Sequence, residues 1–137
     1  MIKLCFSLIL CLLFPNIQAM SEEMEELAKQ LHNDCVEQIG DAAVEAFITT
    51  VQKKEGFPDE NLLKCYIKCV MDEMAIVDDD GVIDVEAAIA LLPEEMADDA
   101  APIMRKCGVI KGSSPCDTVY QTHKCYYDTN KEVYFLV

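Results

Sequence analysis

Basic residues are scarce in this chain: 11 lysines and arginines face 25 aspartates and glutamates. Such an acidic surface repels nucleic acid and anionic membranes, which excludes both as partners. It favours solubility and names no partner by itself. Long apolar runs are equally scarce. Leu4–Phe14 spans 11 residues, short of the ~20 needed to cross a bilayer. Charges break every later apolar stretch, so no stable membrane insertion is expected. Histidine is rare, and neither His32 nor His123 has an acid and a nucleophile beside it in sequence. The chain has no Gly-x-Ser-x-Gly and no His-Glu-x-x-His, and it is not read as an enzyme. It lacks a Cys-x-x-Cys redox pair, and the vicinal cysteines of secreted phospholipases. No repeat and no low-complexity linker divides it, and no cofactor motif stands out.

What is present begins with a leader. Lys3 precedes the apolar run, and Ile17-Gln18-Ala19 ends on a small residue, the pattern of a secretory signal peptide over residues 1–19. Residues 20–137 then form one extracellular domain of 118 residues with 10 basic and 25 acidic side chains, a formal charge of −15. A domain of that size buries a modest core, so crosslinks would help it. The leader removes Cys5 and Cys11 and leaves Cys35, Cys65, Cys69, Cys107, Cys116 and Cys125. An even set of cysteines in a small secreted chain predicts three disulfides.

Helical spacing dominates the domain. Met24, Leu27 and Leu31 share a face after Ser21-Glu22-Glu23, a good helix start. Asp41 is placed to cap a helix with Val44, Phe47, Ile48 and Val51 inward, broken at Gly56-Phe57-Pro58. Asp59 opens a long helix to about Val77, and Asp78–Gly81 is a turn. Asp84 caps a short helix, Pro93 ends it, and the next helix presents Met96, Ala100, Ile103 and Met104 before Cys107-Gly108. Pro102 should kink or delay that helix. Ser114-Pro115 starts a last helix to about Tyr127. Only Lys131–Val137 has strand character, and one strand has no partner. The fold class predicted is all-α, about six helices.

Two motifs allow more than one reading. Cys65 and Cys69 lie one helical turn apart on one face, so their Cβ atoms are badly aimed at each other. They fit a metal site, with His123 and Cys125 as further ligands, or anchors for two separate disulfides. A secreted acidic chain with six cysteines favours disulfides over zinc. "DDDGVID" suggests a calcium loop. With Gly81 at the sixth position, Ile76 and Ala87 fall where the EF-hand needs Asp and Glu, so a solvated turn is the better reading.

The cysteine frame runs Cys35-x29-Cys65-x3-Cys69-x37-Cys107-x8-Cys116-x8-Cys125 and allows 15 pairings. With "LLKCYIKCV", "VDDDGVID", "LLPEEM", "RKC", "THKC" and "YFLV", it resembles the six-cysteine insect odorant-binding proteins of pheromone- and general-odorant-binding type, over nearly all of residues 20–137. The resemblance implies the pairs Cys35–Cys69, Cys65–Cys116 and Cys107–Cys125. It also implies a compact six-helix domain around an apolar cavity. Met71, Met74, Val85, Ala88, Ile89, Leu92, Met96, Ala100, Ala101, Met104, Tyr126, Tyr134 and Phe135 would line it. Methionine stripes are usually plain core, though their soft side chains also suit a cavity that accepts varied apolar shapes. Ala101 and Pro102 replace bulkier residues of that family, and Tyr126 stands where tryptophan is common; this chain has none.

The resemblance further implies that the C-terminal tail closes the cavity, its Val137 carboxylate latched by Tyr66 and His32. An arginine is the family's usual residue at the second place, and histidine side chains as a class change charge near neutral pH. The expected function is a secreted carrier of a small hydrophobic, volatile or lipid-like ligand. It would act in a fluid such as sensillum lymph, deliver to an odorant receptor, and release by acid loosening of the tail. A homodimer fits the family. A secreted non-olfactory regulatory or calcium-binding protein with a filled core is the competing expectation.

Overall fold

The structure, a computed structural model, describes residues 15–137, with side chains from Glu22 onward. The expected leader therefore lies, over residues 1–14, outside the described residues. Among the described residues six helices run in order: α1 (Pro15–Ile39), α2 (Val44–Gln52), α3 (Asn61–Glu73), α4 (Val85–Leu91), α5 (Glu94–Cys107) and α6 (Pro115–Thr129). The fold is all-α. The β pairing among the described residues is one isolated antiparallel bridge, Val77 with Ile83.

Local signals account for several boundaries. Ser114 Oγ accepts from the Asp117 backbone at 3.1 Å, with Pro115 opening α6. Asp84 Oδ1 accepts from Ala87 N at 3.1 Å and caps α4. Asp78 Oδ1 accepts from Asp80 N and Val82 N, which spends that carboxylate on the Asp78–Gly81 turn. Elsewhere the chain departs from expectation. Asp41 stabilises the turn ahead of α2 through Ala43 N at 2.9 Å and does not cap the helix itself. Asp59 lies outside α3, its carboxylate 2.6 Å from Lys64 Nζ. The same helix stops at Glu73, before Val77, because Ala75 takes φ +57° and Ile76 O accepts from Asp84 N. Pro102 does not delay α5, which begins at Glu94 and continues through the proline to Cys107.

α3 is the hub. It packs on α1, α2 and α6, and α6 packs on α5. Leu63, Ile67 and Val70 recur at helical spacing and are fully or almost fully buried against Val44, Ile48, Val119 and Tyr120. Each such side chain contributes about 1.5–3 kcal/mol of hydrophobic stabilisation. The disulfides are Cys35–Cys69, Cys65–Cys116 and Cys107–Cys125, with Cα separations of 5.7, 4.8 and 5.9 Å. The two thiols of α3 thus tie that helix to α1 and to α6. They close loops of 34 and 51 residues, and such bridges contribute about 2–4 kcal/mol each.

Candidate ligand-binding site

The short helix α4 packs on α5, and α5 packs on α6; among the described residues this pair makes no helix-on-helix packing with α3. The residues expected to line a cavity sit on both sides of that division. Met71 and Met74, at the end of α3, are half-buried and touch the core. Val85, Ile89, Leu92, Met96 and Ala100, on or beside α4 and α5, are half-buried. Ala88 and Ala101 are buried, and Met104 rests partly on the core. Partial burial of so many apolar side chains leaves hydrophobic surface that a guest could cover. Two surface depressions, of about 390 and 230 Å³, lie elsewhere: one beside Gln121, Lys124 and Asp128, the other beside Asp80, Lys111 and Ser113. None of the expected lining residues borders either.

Polar groups converge on the inner side of α6. Tyr126 is 7% exposed, and its hydroxyl has no hydrogen-bond partner among the described residues. His123, one turn earlier, is also buried, and its Nδ1 lies 2.8 Å from the Tyr134 hydroxyl. The rings of His123 and Tyr126 are 5.2 Å apart. Burial pushes the Tyr126 hydroxyl up to about 12 and holds the His123 imidazole down to about 4. Burial also raises Tyr134, with smaller additions from the Tyr126 and Tyr66 hydroxyls. All three are therefore neutral near pH 7.

The tail lies across the body. Leu136 is buried, Tyr134 and Val137 are half-buried, and Phe135 is 62% exposed. Phe135 faces largely outward, while its neighbours Tyr134 and Leu136 take the inward places. Tyr66 donates to the Val137 oxygen. His32, expected on the carboxylate, instead meets Tyr66 through Nδ1 and Glu45 through Nε2, each at 3.0 Å. Burial, and secondarily the Glu45 charge, pushes the Tyr66 hydroxyl well above its ordinary range, so it stays a donor.

Sequence reasoning missed several participants. Gln52 Nε2 donates to Leu136 O, and Lys54 Nζ donates to Lys131 O and Tyr134 O, strapping the tail to the end of α2. Phe57 stacks with Tyr120, Tyr127 and Tyr134 at 5.1–5.6 Å between centroids. The only sequence hint was a large aromatic inside the Gly56-Phe57-Pro58 break.

Comparison with known proteins extends this geometry. General odorant-binding protein 69a of Drosophila melanogaster is 32% identical over 102 residues, 74% of this chain and 68% of that protein. Odorant Binding Protein 7 from Anopheles gambiae, solved in complex with an azo compound, superposes with a TM-score of 0.69 at 28% identity, covering 81% of this chain and 89% of that one. The fatty acid binding protein OBP56a from the oral disk of the blowfly Phormia regina gives a TM-score of 0.59 at 26% identity, covering 81% and 95%. The profile of the PBP/GOBP family matches residues 17–129. The chain belongs to the PBP/GOBP family.

Proposed function

We propose that this protein is a secreted carrier that holds one small hydrophobic ligand between the end of α3, the α4–α5 pair and α6. The observation that carries the reading is the Tyr126 hydroxyl, buried without a partner among the described residues on the inner side of α6. An unpaired buried donor costs about 1–3 kcal/mol, and a ligand oxygen would recover it. The apolar remainder of the ligand gains roughly 25 cal/mol for each Å² removed from water, less the cost of ordering it. Relatives whose names record odorant and fatty-acid binding support the same class of guest. The mechanism is physical and involves no bond making.

The tail is the lid of this carrier. Tyr66 holds its terminal oxygen, and Gln52 and Lys54 hold its backbone. Acid weakens the latch by protonating the terminal carboxylate, and release occurs near the receptor in an olfactory fluid or in another secreted fluid. A fluorescent apolar dye should bind saturably at pH 8 and leave as the pH falls to 4. A chain ending at Val133, with its disulfides and helix content verified, should hold the dye more weakly and with little pH dependence. Absence of dye binding by folded protein would reject the carrier; identical pH profiles for the two chains would reject the lid.

A further inference from the structure

His123 and Tyr126 lie at i and i+3 on α6, so their side chains share one face. Both are buried, at 7% exposure each. Their ring planes tilt at 52° with centroids 5.2 Å apart. The Tyr126 hydroxyl has no partner among the described residues. On His123, Nδ1 is engaged by the Tyr134 hydroxyl at 2.8 Å. The direction of that bond comes from chemistry. A phenol O–H is a stronger donor than an imidazole N–H, and a phenol oxygen accepts poorly beside a basic ring nitrogen. Tyr134 therefore donates and Nδ1 accepts. A neutral imidazole that accepts at Nδ1 carries its hydrogen on Nε2. Burial keeps the ring neutral, with the pKa down to about 4. No side-chain or backbone partner for Nε2 occurs among the described residues, and unlike the Tyr126 oxygen this nitrogen is not fully shut off from solvent.

We infer that His123 Nε2–H and the Tyr126 hydroxyl form a two-donor subsite for an uncharged acceptor, the carbonyl oxygen of an aldehyde, ketone or ester. The inference rests on the carrier reading and specifies the polar end of its ligand. A carbonyl oxygen has two lone pairs and no hydrogen, which matches two donors and no acceptor. An alcohol adds a hydroxyl hydrogen for which the pair offers only a weak phenolic acceptor. A hydrocarbon leaves both donors unpaired. An ionised acid would have to shed its hydration to enter, at far greater cost than a carbonyl.

The test is displacement of a fluorescent naphthylamine dye by a methyl ketone, the matching secondary alcohol and the matching alkane, all of one chain length. In the wild type the ketone should bind about tenfold more tightly than the alcohol, whose own hydroxyl hydrogen lacks a good acceptor, and well over about tenfold more tightly than the alkane, which leaves two donors unpaired. In Tyr126→Phe, with disulfides and helix content verified, the ketone's advantage over the alkane should shrink about tenfold, to the share left to His123 Nε2–H. Equal binding of ketone and alcohol by the wild type, or a ketone-over-alkane preference undiminished in Tyr126→Phe, would overturn the inference and leave the carrier intact. Failure of every compound and the dye to bind folded protein would remove the carrier and the inference together. A readout independent of any variant is the imidazole nitrogen NMR signature of His123. It should report hydrogen on Nε2, and hydrogen on Nδ1 would overturn the assignment.

Discussion

Replacing Tyr66 with phenylalanine should loosen the tail without opening the core. The Tyr66 ring is fully buried in the middle of α3, and phenylalanine keeps its volume and packing. What is lost is one hydroxyl that donates to the terminal oxygen of Val137 and contacts His32 at 3.0 Å. A hydrogen bond to a charged group contributes about 1.5–3 kcal/mol. At about 1.4 kcal/mol per factor of ten, the open tail should become roughly tenfold to a hundredfold more populated. The remaining straps stay: Leu136 is still buried, and Gln52 and Lys54 still bond the Leu136 and Tyr134 carbonyls at 3.3 and 3.2 Å. The expected signature is faster amide exchange confined to the C-terminal residues and a ligand dissociation rate raised by a similar factor. Stopped-flow release of a bound dye, alongside hydrogen exchange, measures both. Unchanged exchange would show that the hydroxyl does not hold the tail. Faster exchange with an unchanged dissociation rate would show that the tail does not gate the ligand.

Two further perturbations test the frame that carries the site. Asp117 is held down to about 2 chiefly by the hydrogen bond from Lys64 at 2.9 Å, helped by the Ser113 backbone N–H at 2.8 Å. Its folded value lies below its unfolded one, so its contribution is complete above about pH 4 and is lost as pH falls through about 2. Asp117→Asn should cost about 1–3 kcal/mol near neutral pH, since Lys64 retains Asp59. The gap from wild type in urea unfolding should narrow below pH 4; a gap constant down to pH 2 would refute the linkage. Gly81 has φ +81°, and an added Cβ would lie 2.1 Å from the Pro115 carbonyl oxygen. Gly81→Ala should therefore cost more than about 2 kcal/mol and lower the melting temperature, and a neutral effect would contradict the close approach of that turn to the start of α6.

Features that depend on neighbours in sequence were legible from sequence. Asp84 and Ser114 cap the helices they precede because a cap bonds a backbone N–H three residues away. The apolar stripe of α2 needed only its helical period. The disulfide pairing was legible only through family resemblance, because geometry disfavoured Cys65 with Cys69 but could not choose among the rest. Features set by distant contacts were not legible. Asp59 looked like a helix cap but bonds Lys64, and α3 ends early because Ala75 adopts a left-handed backbone, which an alanine does not advertise. His32 meets Tyr66 across 34 residues, and Lys54 meets the tail across 77 and 80. The partnership of His123 with Tyr134 likewise depends on how the tail folds back. From sequence His123 stood out only as a zinc ligand; in the fold it stands one turn before Tyr126 and is one of the two donors of the proposed subsite.

The division of labour between the elements has a physical basis. Hydrogen bonds weaken steeply as their angle departs from linear, so groups that select a ligand oxygen need a rigid support. His123 and Tyr126 stand on α6, which packs on both α3 and α5 and carries Cys116 and Cys125, one bridged to each of those helices. Apolar contact has no preferred direction and scales with area, so it tolerates a wall that adjusts. Val85, Ile89 and Met96 stand on α4 and α5, a pair that meets the other helices through α6 alone among the described residues. Methionine at such a place adapts to shape at little cost. Directional selection thus sits on a helix held by two disulfides, and non-directional burial on a pair joined to the rest through that helix. A carrier arranged in this way would discriminate the polar end of its guest more sharply than the shape of its hydrocarbon end.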